Sequence, residues 1–534
     1  MTETKATFNL WTEPWITLEK EQGGVERLSI EETLERTQDY RAIYESSPLV
    51  VVGIHRLLVA ILQFALDPQE NNDLKKLWRA GKFPANVIED FGKNYAHRFD
   101  VFSEEEPFMQ SADLPIQPDK KGKISYVSRL TYDIPSGGYV THYRHGGEKD
   151  AVFCPECVAK HLVVIPAFAS SGGAGIKPSI NGVPPIYVIP GGRNLFESLA
   201  ASLVCPPYQP EIRSKKDVPW WEHMPIIGSS EEIEKIGYSH SLTFPARRIR
   251  VHPQVKPLSC TRCGSKTDLS VNTINLEMGE TRPENAEVWF DPFVAYVLPN
   301  DRKAKNKKIE SKSSKKRDKA FPIRPNYRRK AWAIWREFAG LFLLEKRKGT
   351  EKQNETLRPK VIEQFLALNL SDQQTLAFRC VSLTTDNKGK IFSWAEAGFG
   401  IPPTVLKDEN AGTDIRTATN FASVCNDEIN RIFLGYFRRT KSKQHEVIAN
   451  RMVEIYWERL AEPFRQYVLR MNDPQNFDAA QRFWADEVIG CARSVFNQAA
   501  QSLGDDAKRL AQHAKAEKEL NIQLSKKRKE FLNE

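Results

Sequence analysis

Two pairs of cysteines carry the sharpest chemical signal in the sequence, Cys154-Pro-Glu-Cys157 and Cys260-Thr-Arg-Cys263-Gly264. A C-x-x-C knuckle puts two thiolates on one tight turn, and two such turns supply the four sulfurs of a tetrahedral Zn2+ shell. A thioredoxin-type redox motif needs a single C-x-x-C at a strand-to-helix junction and leaves the second pair unexplained. The pattern predicts a four-cysteine zinc centre of the structural kind, because four thiolate ligands leave no position open for water or substrate. Cys205, Cys380, Cys425 and Cys491 have no partner pattern and read as small buried hydrophobes.

Catalytic motifs are missing. The chain has no P-loop, no G-x-S-x-G elbow, no H-E-x-x-H and no His-rich nuclease cluster, and its 10 histidines are scattered. The carboxylates of Asp100, Glu104, Glu105 and Glu106 read as a solvated turn, since charged clusters usually face water. Positive charge is concentrated elsewhere: residues 301–330 hold 14 Lys or Arg against three acids, a surplus larger than the net charge of +9 on the whole chain. Its densest part comprises Lys303, Lys305, Lys307, Lys308, Lys315, Lys316 and Arg317. Such a run neutralises phosphates and releases counterions, which predicts sequence-independent binding to nucleic acid, although a solvated loop has the same composition.

A large scaffold must position these residues. At 534 residues, with 40% apolar and 27% charged, the chain exceeds one core and predicts two or three packing units. The expected class is α+β: an irregular N-terminal mixed domain over 1–410 that carries the zinc knuckles and the basic loop, then a C-terminal four-helix bundle over 411–534. The opening motif Phe8-Asn-Leu-Trp-Thr-Glu-Pro-Trp-Ile16 reads as a short strand or edge segment, and Ser47-Pro48 as the start of a core helix. Gly and Pro between about 100 and 300 predict short strands and loops. Helices are expected over 328–346 and 357–370, then over 419–439, 444–470, 475–502 and 505–532. The apolar stretch 47–66 is broken by His55, Arg56 and Gln63, so no membrane span is expected. With no secretory signal at the start, the expected location is cytoplasmic.

In this order the opening motif, Phe99-Asp100 with Pro107-Phe-Met-Gln110, the paired knuckles, the Gly-rich turn at 172–175 and the terminal helices make the chain resemble the CasA-type large subunits of the type I-E CRISPR surveillance complex, Cascade. The resemblance spans nearly the whole chain. It implies a non-enzymatic subunit that inspects duplex DNA for a short PAM and helps open it, while sequence is read by pairing with the guide RNA. The implied partners are crRNA, double-stranded target DNA, the backbone, 5′-end and small subunits of Cascade, and a helicase-nuclease effector.

The family's Gly loop maps to Gly172, Gly173, Ala174 and Gly175, where small side chains let backbone amides approach a groove edge. Its hairpin wedge maps to the turn Asp386-Asn387-Lys388-Gly389-Lys390, with Lys388 where relatives often carry Gln. Its basic finger falls on Glu277-Met-Gly-Glu280, which has no lysine, and Arg282 just beyond is the expected groove-reading residue. Tyr143, Arg144 and His145 offer a stacking ring and cations suited to guide-RNA or subunit contact. Two other classes stay open: a zinc-containing nuclease acting through Asp100 and residues 104–106, and a purely architectural ribonucleoprotein subunit.

Overall fold

The computed structural model describes residues 6–115, 125–132, 149–171, 176–210, 217–222, 233, 236–283, 288–298, 320–326, 333–343, 355–370, 375–385, 391–437, 444–504 and 506–534. Among them the strands are β1 (Ile16–Lys20), β2 (Val25–Leu28), β3 (Tyr40–Ile43), β4 (Ser125–Tyr126), β5 (Tyr187–Pro190), β6 (Arg247–Ser259), β7 (Lys266–Met278), β8 (Tyr296–Leu298), β9 (Phe321–Pro322), β10 (Glu355–Leu357), β11 (Leu376–Thr385) and β12 (Ile391–Ile401). They form four small antiparallel sheets ordered β2-β1-β3, β4-β7-β6, β12-β11-β5 and β10-β8-β9. Helices pack around and after them, so the architecture is mixed helix and sheet with a helical C-terminal region.

The opening motif is mostly a turn and not a continuous strand: it makes an isolated bridge from Asn9 to Asp100 and enters β1 only at Ile16. Residues 10–13 turn back, with the Asn9 side chain accepting from Trp11 N at 2.9 Å and the Asn9 carbonyl from Glu13 N at 2.7 Å. Asn favours this local bonding over a ladder. The turn sends both Trp11 and Trp15 into the core, and β1 begins only at Ile16. Asp100 clamps the segment from the far side: its carboxylate accepts from Phe8 N (2.9 Å), Thr7 Oγ1 (2.9 Å) and Phe102 N (3.0 Å).

The helix Pro48–Leu66 is the expected core helix, with Pro48 in its first turn. Its mean hydropathy of 2.2 would suit a membrane span by composition, yet 83% of that stretch is buried inside the protein. Arg56, in its middle, forms a buried ion pair with Asp291 at 3.2 Å. Gln110 of the Pro-Phe-Met-Gln motif is also spent on structure. It donates to the Val101 carbonyl at 2.7 Å and accepts from Val251 N of β6 at 2.9 Å.

β6 and β7 make a long hairpin whose register shifts at Val251/Pro253 and Val255/Leu258. Pro253 and Pro257 have no N–H to give the ladder, which puts the irregularities there. Two expected helices are shorter than their periodicity implied. Within 328–346 the described helical residues are the 3-10 turn Ile334–Glu337 and the helix Phe338–Phe342. In the second, Leu357 belongs to β10 and the helix is Lys360–Leu368. Pro359 accounts for the second case by holding its predecessor out of helical geometry.

The C-terminal region comprises Ala411–Phe437, Gln444–Arg459, Ala461–Arg470, Phe477–Gln501 and Ala507–Leu532. The helix expected over 444–470 is therefore two, divided at Leu460. Pro463 explains the break, since its ring would collide with the Arg459 carbonyl one turn earlier and it cannot donate to it. An aromatic cluster fastens this region to what precedes it. Trp335 lies 5.5 Å from Trp457, 4.8 Å from Phe464 and 6.1 Å from Trp484, ring centre to ring centre. The buried polar tips are satisfied, Trp484 Nε1 donating to the Ala418 carbonyl and Tyr456 OH to that of Ala422.

Candidate metal centre and nucleic-acid interface

Cys154 caps the helix Pro155–Leu162, and Cys157 stands in its first turn. Cys260 and Cys263 belong to the turn joining β6 to β7, where Gly264 takes φ +76° and its N–H donates to the Cys260 carbonyl at 2.9 Å. That left-handed conformation is one that an L side chain resists and Gly accepts. The two turns are zipped together by backbone: Thr261 N donates to the Val152 carbonyl at 2.8 Å, and Phe153 and Val271 exchange hydrogen bonds at 2.9 Å.

This zipper brings residues about a hundred apart in sequence into one cluster. All four Sγ atoms lie within 4.8 Å of one another, with Cys154 and Cys263 at 3.7 Å. Sulfurs about 2.3 Å from a shared tetrahedral ion stand about 3.8 Å apart, whereas a disulfide needs about 2.05 Å. The donor set therefore fits a metal ion and not a crosslink. The thiols perturb one another: the hydrogen bond with Cys154, then that with Cys260, then burial push the Cys157 thiol well above its ordinary range. Cys260, receiving hydrogen bonds from Cys154 and Cys157, is driven well below its own. Four thiolates this close would repel one another unless a cation lay between them. A metal here would tie the first knuckle to the hairpin and leave no open coordination position.

Of the other expected site residues, Arg282 alone is described. It lies half-buried four residues past the end of β7. Tyr143, Arg144, His145, Gly172, Gly173, Ala174, Gly175, Asn387, Lys388, Gly389, Lys303, Lys305, Lys307, Lys308, Lys315, Lys316 and Arg317 lie outside the described residues.

Their flanks are described. Ser179 N donates to the Ala169 carbonyl at 2.8 Å, joining the two legs that lead to 172–175. Both legs dock on the base of the β6–β7 hairpin: Arg247 Nη2 donates to the Ser170 carbonyl at 2.6 Å, and Lys177 N to Met278 Sδ at 3.2 Å. Arg247 and Met278 were not singled out from sequence. A buried arginine that serves a carbonyl has no local pattern to mark it. Residues 386–390 join β11 to β12, which pair antiparallel up to Thr385↔Ile391.

Where a basic finger was sought, the acids are already paired. Glu277 meets Arg248 Nη1 at 2.6 Å, and Arg248 also meets Asp113. Glu280, fully buried, meets His240 Nε2 at 2.5 Å. Burial alone lowers the pKa of His240, but the hydrogen bond and charge of Glu280 outweigh it and the net direction is upward.

The family model of CRISPR-associated protein Cse1 matches residues 9–495. The CRISPR-associated protein CasA/Cse1 of Thermus thermophilus is 32% identical over 305 residues. That match covers 52% of this chain and spans only 58% of the relative's length. The crystal structure of Cse1 from Acidimicrobium ferrooxidans has the same fold, with TM-score 0.77 at 21% identity over 99% of this chain and 100% of that one. A chain of a solved CRISPR RNA-guided surveillance complex superposes with TM-score 0.67 at 17% identity, covering 97% of this chain and 99% of its own. The chain belongs to the CRISPR-associated Cse1 family, the CasA-type large subunits of type I-E Cascade.

Proposed function

We propose that this subunit recognises the PAM in duplex DNA, helps open the duplex for R-loop formation, and positions the recruited helicase-nuclease, without catalysis of its own. The observation that carries the reading is the docking of both legs of the 172–175 loop on the β6–β7 hairpin, through Arg247 and Met278. The described legs on either side are anchored, and the small side chains of 172–175 are what close approach of backbone amides to a groove demands. The hairpin tip 386–390 serves as the wedge beneath the PAM, at an unstacking cost of about a few kcal/mol. Arg282 reads the groove from the end of β7, and Tyr143, Arg144 and His145 meet crRNA or a neighbouring subunit. The lysines of 303–317 hold DNA without regard to sequence.

In this reading the four-cysteine centre binds Zn2+, and its role is to fix the hairpin to the segment leading into the loop. Residues 1–410 form the mixed domain and 411–534 a four-helix bundle, with Gln444–Arg459 and Ala461–Arg470 together acting as one broken helix. The setting is cytoplasmic, among crRNA and the backbone, 5′-end and small subunits. Against a nuclease stands the use of the Asp100 carboxylate, which serves Phe8 N, Thr7 Oγ1 and Phe102 N.

The test is binding of the complex assembled with guide RNA to duplexes that differ only in a randomised PAM-side trinucleotide, at fixed salt. A strong trinucleotide preference that weakens on Lys388→Ala or Gly173→Val is the expected outcome. Uniform binding would leave the architectural role, and Mg2+-dependent cleavage lost on a carboxylate substitution would favour the enzyme.

A further inference from the structure

The seam between the helices Ala411–Phe437 and Gln444–Arg459 is polar at a place where packed helices bury apolar stripes. On the first helix Ser423, Asn426, Asp427 and Asn430 follow the i, i+3, i+4, i+7 spacing of a single face. Across from them, Asn450, Val453 and Trp457 follow i, i+3 and i+7 on one face. With Arg336 these two stripes line a cavity of about 350 Å3, toward the lower end of the roughly 300–1,000 Å3 range of small-ligand sites.

One lining atom is left over. Asn426 Oδ1 is buried with no hydrogen-bond partner, while its amide nitrogen reaches only the neighbouring Asp427 at 3.4 Å. A buried acceptor without a partner is destabilising, so its retention at a cavity wall calls for a donor from outside. In the lining of the cavity the Arg336 guanidinium lies over the Trp457 ring, 3.5 Å from its centroid. That stack is a flat, cationic surface against which a planar ring packs well.

The chemistry narrows the occupant. A carboxamide presents one donor and one acceptor side by side, the arrangement that matches a base edge. The carboxylate of Asp427, exposed at the cavity, opposes a phosphate. The amide lining is equally unsuited to an aliphatic side chain. We propose that this cavity binds one unpaired nucleobase of single-stranded DNA, its edge on the carboxamides of Asn426 and Asn450 and its face toward Arg336. The proposal rests on the duplex-opening reading only for the source of the strand.

The experiment uses the full chain and a mixed-sequence single-stranded DNA oligonucleotide at fixed salt, with Asn426→Leu and Asn450→Leu as separate variants. Neither variant changes charge, so phosphate contacts are untouched. Asn426→Leu is expected to leave the melting temperature equal or raised, because it removes the orphaned acceptor, yet to weaken oligonucleotide binding about tenfold. Asn450→Leu is expected to weaken it likewise. Parent-like binding by both folded variants overturns the proposal, as does an equal loss on a base-free sugar-phosphate oligomer. Because the probe is single-stranded from the outset, absence of PAM preference in the assembled complex would count against duplex opening and leave the pocket standing.

Discussion

At the scale of single residues, the structure separates side chains that hold the molecule from those left to meet a partner. Cys157 sits among Cys154, Cys260 and Cys263 in a space that could hold a metal ion. Cys157→Ser is expected to lose stoichiometric zinc by elemental analysis and to lower the denaturation midpoint. Undiminished zinc would refute the assignment. Arg56 and Asp291, 2% and 0% exposed, leave a bare buried charge if one is removed. Asp291→Asn should cost about 3–5 kcal/mol in urea denaturation, while the double change Arg56→Met with Asp291→Leu should recover part of it. The pair His240 and Glu280 makes a pH-dependent contribution. Because the folded-state pKa of His240 is raised, its stabilisation is fully present below the unfolded value of about 6.5 and fades as pH rises through the higher folded value. The stability gap between parent and His240→Gln should therefore shrink from pH 6 to pH 9, and a gap that widens would exclude the charged pair.

At the scale of elements, close approaches explain where small residues are required. A Cβ on Gly53, in the middle of the helix Pro48–Leu66, would lie 2.7 Å from the Val163 carbonyl oxygen. Backbone cannot step aside as a side chain does, so Gly53→Ala should destabilise by about 1–3 kcal/mol. An unchanged urea midpoint would show that the two elements slide. Periodicity located the C-terminal helices, because roughly 20 or more residues of apolar spacing are hard to mistake. It joined 444–470 into one, since the apolar pattern continues across Pro463 although the backbone bonding does not. The opening motif erred in the other direction. Its aromatic residues have strand propensity, but the carboxamide of Asn9 bonds the local backbone and turns the chain.

On the scale of the whole molecule, the surplus of positive charge in 301–330 is expected to act on association with polyanions and not on fold. Replacing Lys303, Lys305, Lys307, Lys308, Lys315, Lys316 and Arg317 by Gln should weaken PAM-bearing and PAM-free duplexes by the same factor. The slope of log affinity against log salt should fall by about 0.9 for each phosphate no longer neutralised. A changed ratio between the two duplexes, read from titrations at several salt concentrations, would move these cations into specific recognition. The four-cysteine cluster belongs to this scale too, because the backbone bonds beside it bring the segment entering at Phe153 against a hairpin turn more than a hundred residues later.

By itself the sequence determined the paired cysteine knuckles, the core helix at Pro48, the helical C-terminal region and the family, since each rests on local spacing or on the order of motifs. Tertiary structure decided what depends on residues distant in the chain. It brought two knuckles to within 4.8 Å, spent Gln110 and Asp100 on backbone groups, and hung the legs of the Gly-rich loop on Arg247 and Met278. The physical reason is the same in each case: a side chain's type announces what bonds it can make, and only the packing of remote segments determines which partner is within reach.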